Sequence, residues 1–393
     1  MNAILDVARA RRETPGCDDV LHFNNAGASL APLPVLRAQI EHLELEARIG
    51  AYEAELRNLD AIEHTYDALA ALVGCHRDEI AVVESATRAW DAAFYAVPLR
   101  AGDRVLCSQA EYAANYIAFL QVARRTGAEI VPVPSDEHGQ ISIEALRGLI
   151  DDRVKLIAVT HVPTNGGLVN PAEAVGRVAR EANVPFLLDA CQSVGQMPTH
   201  VDELGCDMLS ATGRKFLRGP RGVGFLYVRR SLIDKLDPIT LDLHAARWVS
   251  RDRYELRPDA RRFECSEITY AGKLALGVAV DYAMSWGLSA IRDRVAAVAG
   301  ALRAGLAAIP GVVVRDLGVV QCGIVSFTVE GREPAWIMAR LHEQGINAWT
   351  SPQAATRLDM EARGLAGVVR ASVHYYNTEE EVTRFCEAIR RLS

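Results

Sequence analysis

The sequence predicts an α/β protein in which a large domain holds a mostly parallel, seven-stranded sheet and a smaller domain is α+β. Between about residues 60 and 230, short apolar runs alternate with helical stretches, an order that favours parallel βαβ units. Most of these runs are almost continuously apolar, as expected for strands covered on both faces. The chain has 393 residues, more than one core usually spans, so two domains are expected.

The large domain is predicted to contain seven strands in chain order. The predicted strands are residues 79–83, 104–108, 129–134, 155–161, 185–189, 207–211 and 222–228. Helices are predicted between several of them, for example at 115–126 and 171–182. The last run follows a turn rich in glycine and proline and could be antiparallel.

The pattern changes after residue 270. Residues 270–308 have a helical pattern, and shorter strands and helices follow as far as the helical stretch at 379–392. We therefore predict a large domain over 21–270 and a small domain formed by 1–20 and 271–393.

Charge and hydropathy argue against several partners. The net charge is −7, from 43 basic and 50 acidic residues, and no basic run stands out. Neither nucleic acid nor an anionic membrane surface is therefore expected as a partner. The first twenty residues have no long apolar stretch, so no signal peptide is expected, and no run approaches eighteen apolar residues. We expect a cytoplasmic protein.

The eight cysteines are scattered along the chain, without a CxxC pair or a histidine at metal-ligand spacing. They are interpreted as reduced thiols, and no metal site is predicted. Cys191 adjoins an aspartate of interest below and is interpreted as a small packing residue.

Two segments together carry a chemical signal. One apolar run ends at Asp189, and the next is followed by Lys215 within the glycine-rich segment SATGRKFLRGPRG. Each residue alone has an ordinary explanation, as a helix cap or a surface lysine. Together they meet the needs of pyridoxal phosphate (PLP) chemistry: an amine for the Schiff base and a carboxylate that keeps the pyridine nitrogen protonated.

A third segment, AVVESATRAW, passes from a strand through a Ser/Ala/Thr turn into a helix. Backbone N–H groups at such a helix start can bind phosphate, although a plain N-cap at Ser85 or Thr87 explains the pattern about as well.

These motifs, with LHFNNAGAS near residue 21 and RASVHYYNT near residue 370, resemble the class V aminotransferase family. The family comprises fold-type I PLP enzymes such as cysteine desulfurases, selenocysteine lyases, isopenicillin-N epimerase-like proteins and C–S lyases. The Arg-Lys pair followed by Gly-Pro-Arg-Gly is similar to the corresponding segment of C–S lyases such as the hercynylcysteine sulfoxide lyases. The resemblance implies PLP as cofactor, an amino acid as substrate and a homodimer.

The resemblance also implies roles around the cofactor ring. Lys215 would bind the cofactor covalently and later move protons at the substrate Cα. Asp189 would pair with the ring nitrogen, and Gln192 would contact the phenolic oxygen. Tyr112 would stack on the ring, where the family usually has histidine. Thr164 stands where desulfurases have an asparagine near the cofactor.

Further implied roles concern the phosphate and the substrate. Ala86 and Thr87 would bind phosphate at the helix start. Thr212 matches a phosphate-binding serine and Arg214 a neighbouring histidine. Two implied substrate residues are Arg370, for the α-carboxylate, and Asn25.

Three departures from the family are visible. Cysteine desulfurases carry a nucleophilic cysteine shortly before the Arg-Ala-Ser motif, whereas residues 346–372 contain none. Ser266-Glu267 replaces the Gly-Thr whose threonine reaches the neighbouring subunit's phosphate. In the segment 350–366, Arg357 and Arg363 are expected to form surface ion pairs rather than to bind an acidic substrate.

The missing cysteine favours β-elimination from a cysteine-derived amino acid, either an S-conjugate or a sulfoxide, with release of pyruvate and ammonia. A class V aminotransferase or an amino-acid epimerase would use the same lysine and remains open. A non-catalytic binding protein is disfavoured because both Lys215 and Asp189 are present. NAD binding is disfavoured because no GxGxxG follows the first strand.

Overall fold

A seven-stranded sheet forms the centre of the larger part of the computed structural model, which describes residues 5–393. With strands numbered along the whole chain, the sheet contains β2 (Ile80–Val83), β3 (Arg104–Cys107), β4 (Glu129–Pro132), β5 (Val154–Thr160), β6 (Phe186–Asp189), β7 (Met208–Thr212) and β8 (Gly224–Val228). Their order is β2-β8-β7-β6-β5-β3-β4. Strand β8 is antiparallel to both neighbours, and the other pairs are parallel. All seven predicted strands are confirmed to within two residues, including the antiparallel last strand.

Helices cover both faces of this sheet. The helices of the chain are α1 (Val7–Arg12), α2 (Leu33–Ile49), α3 (Ala51–Arg57), α4 (Leu59–Val73), α5 (Ala86–Phe94), α6 (Ala113–Thr126), α7 (Ile143–Leu149), α8 (Ala172–Ala182), α9 (Val201–Leu204), α10 (Arg230–Ile233), α11 (Tyr270–Trp286), α12 (Leu288–Ala307), α13 (Pro334–His342), α14 (Arg357–Ala362) and α15 (Glu379–Leu392). Side chains of α4, α8 and α11 fill the core on one face. Those of α5 and α6, led by Trp90 and Phe119, fill the core on the other. Burial on both faces explains why the strands are apolar throughout.

A second, antiparallel sheet has the order β11-β12-β15-β14. The remaining strands of the chain are β1 (Leu21–His22), β9 (Ala246–Ser250), β10 (Arg253–Leu256), β11 (Val312–Val314), β12 (Ile324–Val329), β13 (Ile346–Asn347), β14 (Trp349–Pro352) and β15 (Gly367–Ser372). Helices α12 and α15 pack on the small sheet through a core that includes Leu302, Phe327 and Phe385. Strand β1 pairs with β13 in parallel.

Several segments connect the two regions. Helix α11 packs on α2 and α4, whereas α12, which turns away by 77° at Gly287, contributes to the core of the small sheet. Of the predicted N-terminal part of the small domain, residues 1–4 lie outside the described residues. Ala10 of α1 packs in the core of the large sheet, while Arg11 forms an ion pair with Glu381 of α15. The boundary at residue 270 stays a prediction.

Between residues 5 and 393, no single helix is long and apolar enough to cross a membrane; only the bent pair α11–α12 meets that length and composition together.

Candidate active site

A cavity of about 300 Å³ lies at the carboxyl ends of β5, β6 and β7, where open α/β sheets bind their ligands. Nine of the eleven predicted site residues line it. They are Ala86, Thr87, Tyr112, Thr164, Asp189, Gln192, Thr212, Arg214 and Lys215. These residues are spread over 130 positions of the chain. They meet at one edge of the sheet because the carboxyl ends of parallel strands lie on the same side.

Asp189 ends β6 and is 5% exposed. One carboxylate oxygen accepts a hydrogen bond from the backbone N–H of Cys191, and the other accepts one from the Asn115 side chain, each at 2.9 Å. Burial raises the pKa of Asp189, whereas these two donors and the charge of Lys215 act to lower it. A carboxylate held in this way is suited to pair with a protonated ring nitrogen.

The first turn of α5 provides a site for a phosphate group. The side chain of Ser85 caps the helix by accepting the N–H of Arg88 at 3.2 Å, and the helix geometry leaves the preceding N–H groups unpaired. A Cβ at Gly224 of β8 would lie 2.5 Å from the Ala211 carbonyl oxygen and 3.0 Å from the Ser85 carbonyl carbon. Glycine at this position therefore allows the turn to pack directly against the sheet.

Thr212 and Arg214 border the same part of the cavity. Thr212, at the end of β7, is 5% exposed and its hydroxyl lies 3.5 Å from the Val223 carbonyl oxygen. The Arg214 guanidinium donates to the carbonyl oxygen of Gly27, which orients its charge beside the cavity.

Arg370 approaches the cavity from β15 of the small sheet. It is 6% exposed, and its Nη1 donates to the Thr164 carbonyl oxygen at 3.1 Å and to the Thr164 hydroxyl at 2.5 Å. Its buried Nε has no hydrogen-bond partner among residues 5–393. Burial lowers the pKa of Arg370 to about 10, and no carboxylate opposes that shift within the described chain. Donors on this guanidinium therefore remain available to an anionic ligand.

Tyr112 and Gln192 lie on the walls of the cavity. Tyr112 is 39% exposed and is therefore not a core residue. Gln192 is 3% exposed, its Nε2 donates to the Ala26 carbonyl oxygen at 3.2 Å, and its Oε1 has no partner within residues 5–393. This amide has hydrogen-bonding capacity that the protein does not use.

The structure does not bring Asn25 into the cavity lining. Asn25 is fully buried, its Nδ2 donates to the Ser372 carbonyl oxygen at 2.7 Å, and its Oδ1 accepts the Tyr376 hydroxyl at 2.5 Å. Both ends of the amide are therefore occupied in holding the N-terminal segment to β15. The predicted substrate contact of Asn25 has no support in this arrangement.

Several lining residues were missed by the sequence reasoning. Asn115 and Thr160 line the cavity beside Asp189, and Arg221 lies at its outer edge. Asn115 stands one helical turn after Tyr112, and this spacing could have drawn attention to it. Cys191 also lines the cavity, so its interpretation as simple packing was incomplete. Burial raises the pKa of its thiol, although the neighbouring Lys215 acts against this.

The other departures from the family are clear in the structure. Arg357 forms the expected surface ion pair, with Glu361 at 2.6 Å, whereas Arg363 pairs at 3.1 Å with Asp359, which is buried. Glu267 is exposed to solvent, and the backbone N–H of Ser266 donates to Asp242 at 2.6 Å. No group of His, Cys, Asp and Glu residues within 5–393 could hold a metal ion.

Fold and site together define a PLP-dependent enzyme. The unused amide oxygen of Gln192 and the open start of α5 fit an anionic, ring-bearing cofactor with Lys215 and Asp189 on the same edge, and the unused donors of Arg370 fit the carboxylate of an amino-acid substrate. Residues 21–385 match the family model of aminotransferase class V. The chain belongs to this family, and its cofactor is pyridoxal 5′-phosphate.

Its relatives include proteins described as probable cysteine desulfurases. The one from Methanothermobacter thermautotrophicus is 28% identical over 389 residues, covering 98% of this chain and 97% of the relative. One from Xylella fastidiosa is 29% identical and covers 94% of this chain and 90% of the relative.

Solved structures agree with this assignment. The apo cysteine desulfurase from Thermococcus onnurineus has a TM-score of 0.92 at 26% identity, covering 99% of this chain and 98% of that one. A complex of a cystine C–S lyase with cysteine persulfide has a TM-score of 0.86 at 22% identity, covering 96% and 99%; this match supports the fold alone.

Proposed function

We propose that the protein is a C–S lyase that cleaves a cysteine-derived amino acid by β-elimination and releases pyruvate and ammonia. One observation carries the proposal. The cavity is lined by the lysine and the aspartate for PLP chemistry, and Arg370 is hydrogen-bonded to Thr164 of that lining, but the segment from β13 to β15, which includes Arg370, has no cysteine. Only a positioned thiolate can accept sulfur as a persulfide.

Cys191 is a poor substitute for that thiolate. It is the one cysteine that lines the cavity among the described residues, and burial raises its pKa, which disfavours the thiolate. The relatives named as cysteine desulfurases nevertheless make persulfide formation the main competing reaction, and its product distinguishes the two.

The residues of this chain have separable tasks in the proposed reaction. When bound, PLP withdraws electrons from the substrate Cα and makes its proton acidic. Arg370 binds the α-carboxylate and orients the substrate. Lys215 removes the Cα proton, and Asp189 keeps its negative charge opposite the ring nitrogen. The Cβ–S bond then breaks, so that one water and one S-substituted cysteine yield a thiol, pyruvate and ammonia.

Pyruvate release tests the proposal. The PLP-loaded enzyme would be given S-substituted cysteines and cysteine sulfoxides, with Lys215→Ala as the inactive variant and Lys235→Ala, an exposed lysine at the opposite end of the sheet, as the matched control. We expect pyruvate from wild type and Lys235→Ala only. Alanine released together with an enzyme-bound persulfide would instead assign a desulfurase. Aminated cofactor or an inverted amino acid would assign an aminotransferase or an epimerase.

We also propose that the enzyme is a homodimer. Large apolar side chains are exposed on α3 and the β9–β10 hairpin, including Leu56 at 72% and Trp248 at 79%, and such surfaces are typical of subunit interfaces. Light scattering of the holoenzyme would give the mass of a dimer, and a monomeric mass would contradict the proposal.

A further inference from the structure

A second buried carboxylate, Glu111, lies close to Asp189 and has no part in the proposed reaction. Glu111 is 3% exposed. Its Oε1 accepts the Ser108 hydroxyl and the backbone N–H of Thr160, and its Oε2 accepts the Thr160 hydroxyl, each at 2.7 Å. The donors that hold it are hydroxyls and an amide, not a lysine or an arginine.

Thr160 connects this carboxylate to Asp189. The Nδ2 of Asn115 lies 3.5 Å from the Thr160 hydroxyl oxygen and 2.9 Å from the Asp189 carboxylate. Asn115 and Thr160 are 2% and 3% exposed, so water does not compete for these contacts. A hydrogen-bonded relay therefore leads from Glu111, behind the wall of the cavity, through Thr160 and Asn115 to Asp189 in that wall.

The carboxylates at the two ends of the relay determine which groups along it donate hydrogen bonds and which accept them. Above its pKa Glu111 is ionised, and an ionised carboxylate can only accept hydrogen bonds. Glu111 then accepts a hydrogen bond from the Thr160 hydroxyl, whose oxygen is left to accept from the Tyr112 backbone N–H at 3.4 Å and from the Asn115 amide at 3.5 Å. The Asn115 amide consequently turns its NH₂ group toward both Thr160 and Asp189. Without an acceptor at Thr160, the Asn115 amide would be held by the Asp189 carboxylate alone and its NH₂ group would be less firmly oriented.

We propose that Glu111 is a positioning residue that, through Thr160 and Asn115, fixes the donor received by Asp189 and so sets how tightly Asp189 holds the cofactor ring nitrogen. This inference depends on PLP as the cofactor and not on the proposed C–S lyase reaction. Glu111 acts through other residues because it does not line the active-site cavity; it borders a separate cavity of about 260 Å³ between α6 and α14. Its pKa, raised to about 7 by burial, agrees with a carboxylate that lacks a cationic partner.

Three variants test the relay without substrate. Glu111→Gln keeps the shape but adds a donor, and Thr160→Val removes the hydroxyl that Thr160→Ser keeps. The measurements are the dissociation constant of PLP from the apoenzyme and the pH profile of the visible absorbance of the bound cofactor. We expect Glu111→Gln and Thr160→Val to weaken PLP binding about tenfold and to shift the absorbance profile, in line with the loss of one hydrogen bond to a charged group.

Thr160→Ser should behave like wild type and guards against a general loss of folding. Wild-type affinity and an unchanged absorbance profile in Glu111→Gln would overturn the proposal. So would equal losses in Thr160→Ser and Thr160→Val, because the shared hydroxyl would then be irrelevant. None of these measurements depends on the reaction catalysed, so failure of the relay and failure of the C–S lyase proposal remain distinguishable.

Discussion

Two buried arginines of this chain show that burial alone does not reveal whether a charged side chain supports the fold or the active site. Arg218, in the loop after Lys215, is 2% exposed. Its Nε, Nη1 and Nη2 donate to the Leu30 carbonyl oxygen at 3.0 Å, the Tyr375 hydroxyl at 2.6 Å and the Thr14 hydroxyl at 2.5 Å. Although burial opposes the charge, the nearby tyrosines raise the pKa of Arg218 overall. Every nitrogen of its guanidinium is used within the protein.

Arg370 is almost as buried, yet its guanidinium is only partly used. Among residues 5–393, only its Nη1 has partners, both in Thr164, and burial lowers the pKa of Arg370 to about 10. A buried cation with spare donors destabilises the protein unless a ligand completes it. The comparison indicates that Arg218 holds the fold together and that Arg370 is prepared for an anion.

Replacing Arg370 should produce the largest effect. We expect Arg370→Gln to lower kcat/KM by about a thousandfold, or about 4 kcal/mol, because the substrate carboxylate loses a buried charged partner. The thermal midpoint of the protein should stay the same or rise, since an unpaired buried charge is removed. A variant that loses stability without losing kcat/KM would break the comparison.

Replacing Arg218 should have the opposite effects: the stability of the protein should fall, whereas its activity should not. We expect Arg218→Met to lower the free energy of unfolding by about 3 kcal/mol, because a carbonyl and two hydroxyls lose their buried partner. The kcat/KM of the protein that remains folded should be nearly unchanged. Thermal unfolding and kinetics measured on the same preparation test this, and a selective loss of activity would assign Arg218 to the site.

The sequence could predict the features that depend on neighbouring residues, such as the strands, and the residues that lie within the family's motifs. The seven strands could be recognised because burial on both faces makes them apolar throughout. Asp189 and Lys215 could be recognised because Asp189 ends one such strand and Lys215 follows the next. The difference between Arg218 and Arg370 could not be predicted from sequence. Both are arginines near specific motifs, and only contacts with residues more than 150 positions away distinguish them. Asn25 was assigned to the substrate from its segment, whereas its partners near residue 372 occupy its amide.

Glu111 is a buried carboxylate without a cationic partner among the described residues, and its titration should make the stability of the protein depend on pH. Burial, with the charge of Asp189 adding to it, raises the pKa of Glu111 from 4.5 to about 7. The folded protein therefore binds a proton more tightly than the unfolded chain, and the stabilising effect of that proton is full below pH 4.5 and lost as the pH rises through 7. We expect wild type to lose about 2 kcal/mol between pH 5 and 8 relative to Glu111→Gln. Thermal midpoints of the two apoenzymes at both pH values test this, and parallel pH profiles would contradict it.

The smallest expected effect concerns the residue that holds Arg370. Thr164 accepts from this guanidinium through both its carbonyl oxygen and its hydroxyl, and a substitution can remove only the second contact. Thr164→Val should therefore cost about 1 kcal/mol, or about fivefold, and appear mainly as a higher KM, because a less well oriented Arg370 binds the carboxylate more weakly before and during the reaction. Thr164→Ser keeps the hydroxyl and should restore the KM of wild type. If Thr164→Val lowered kcat alone, Thr164 would act on the reacting atoms rather than on Arg370.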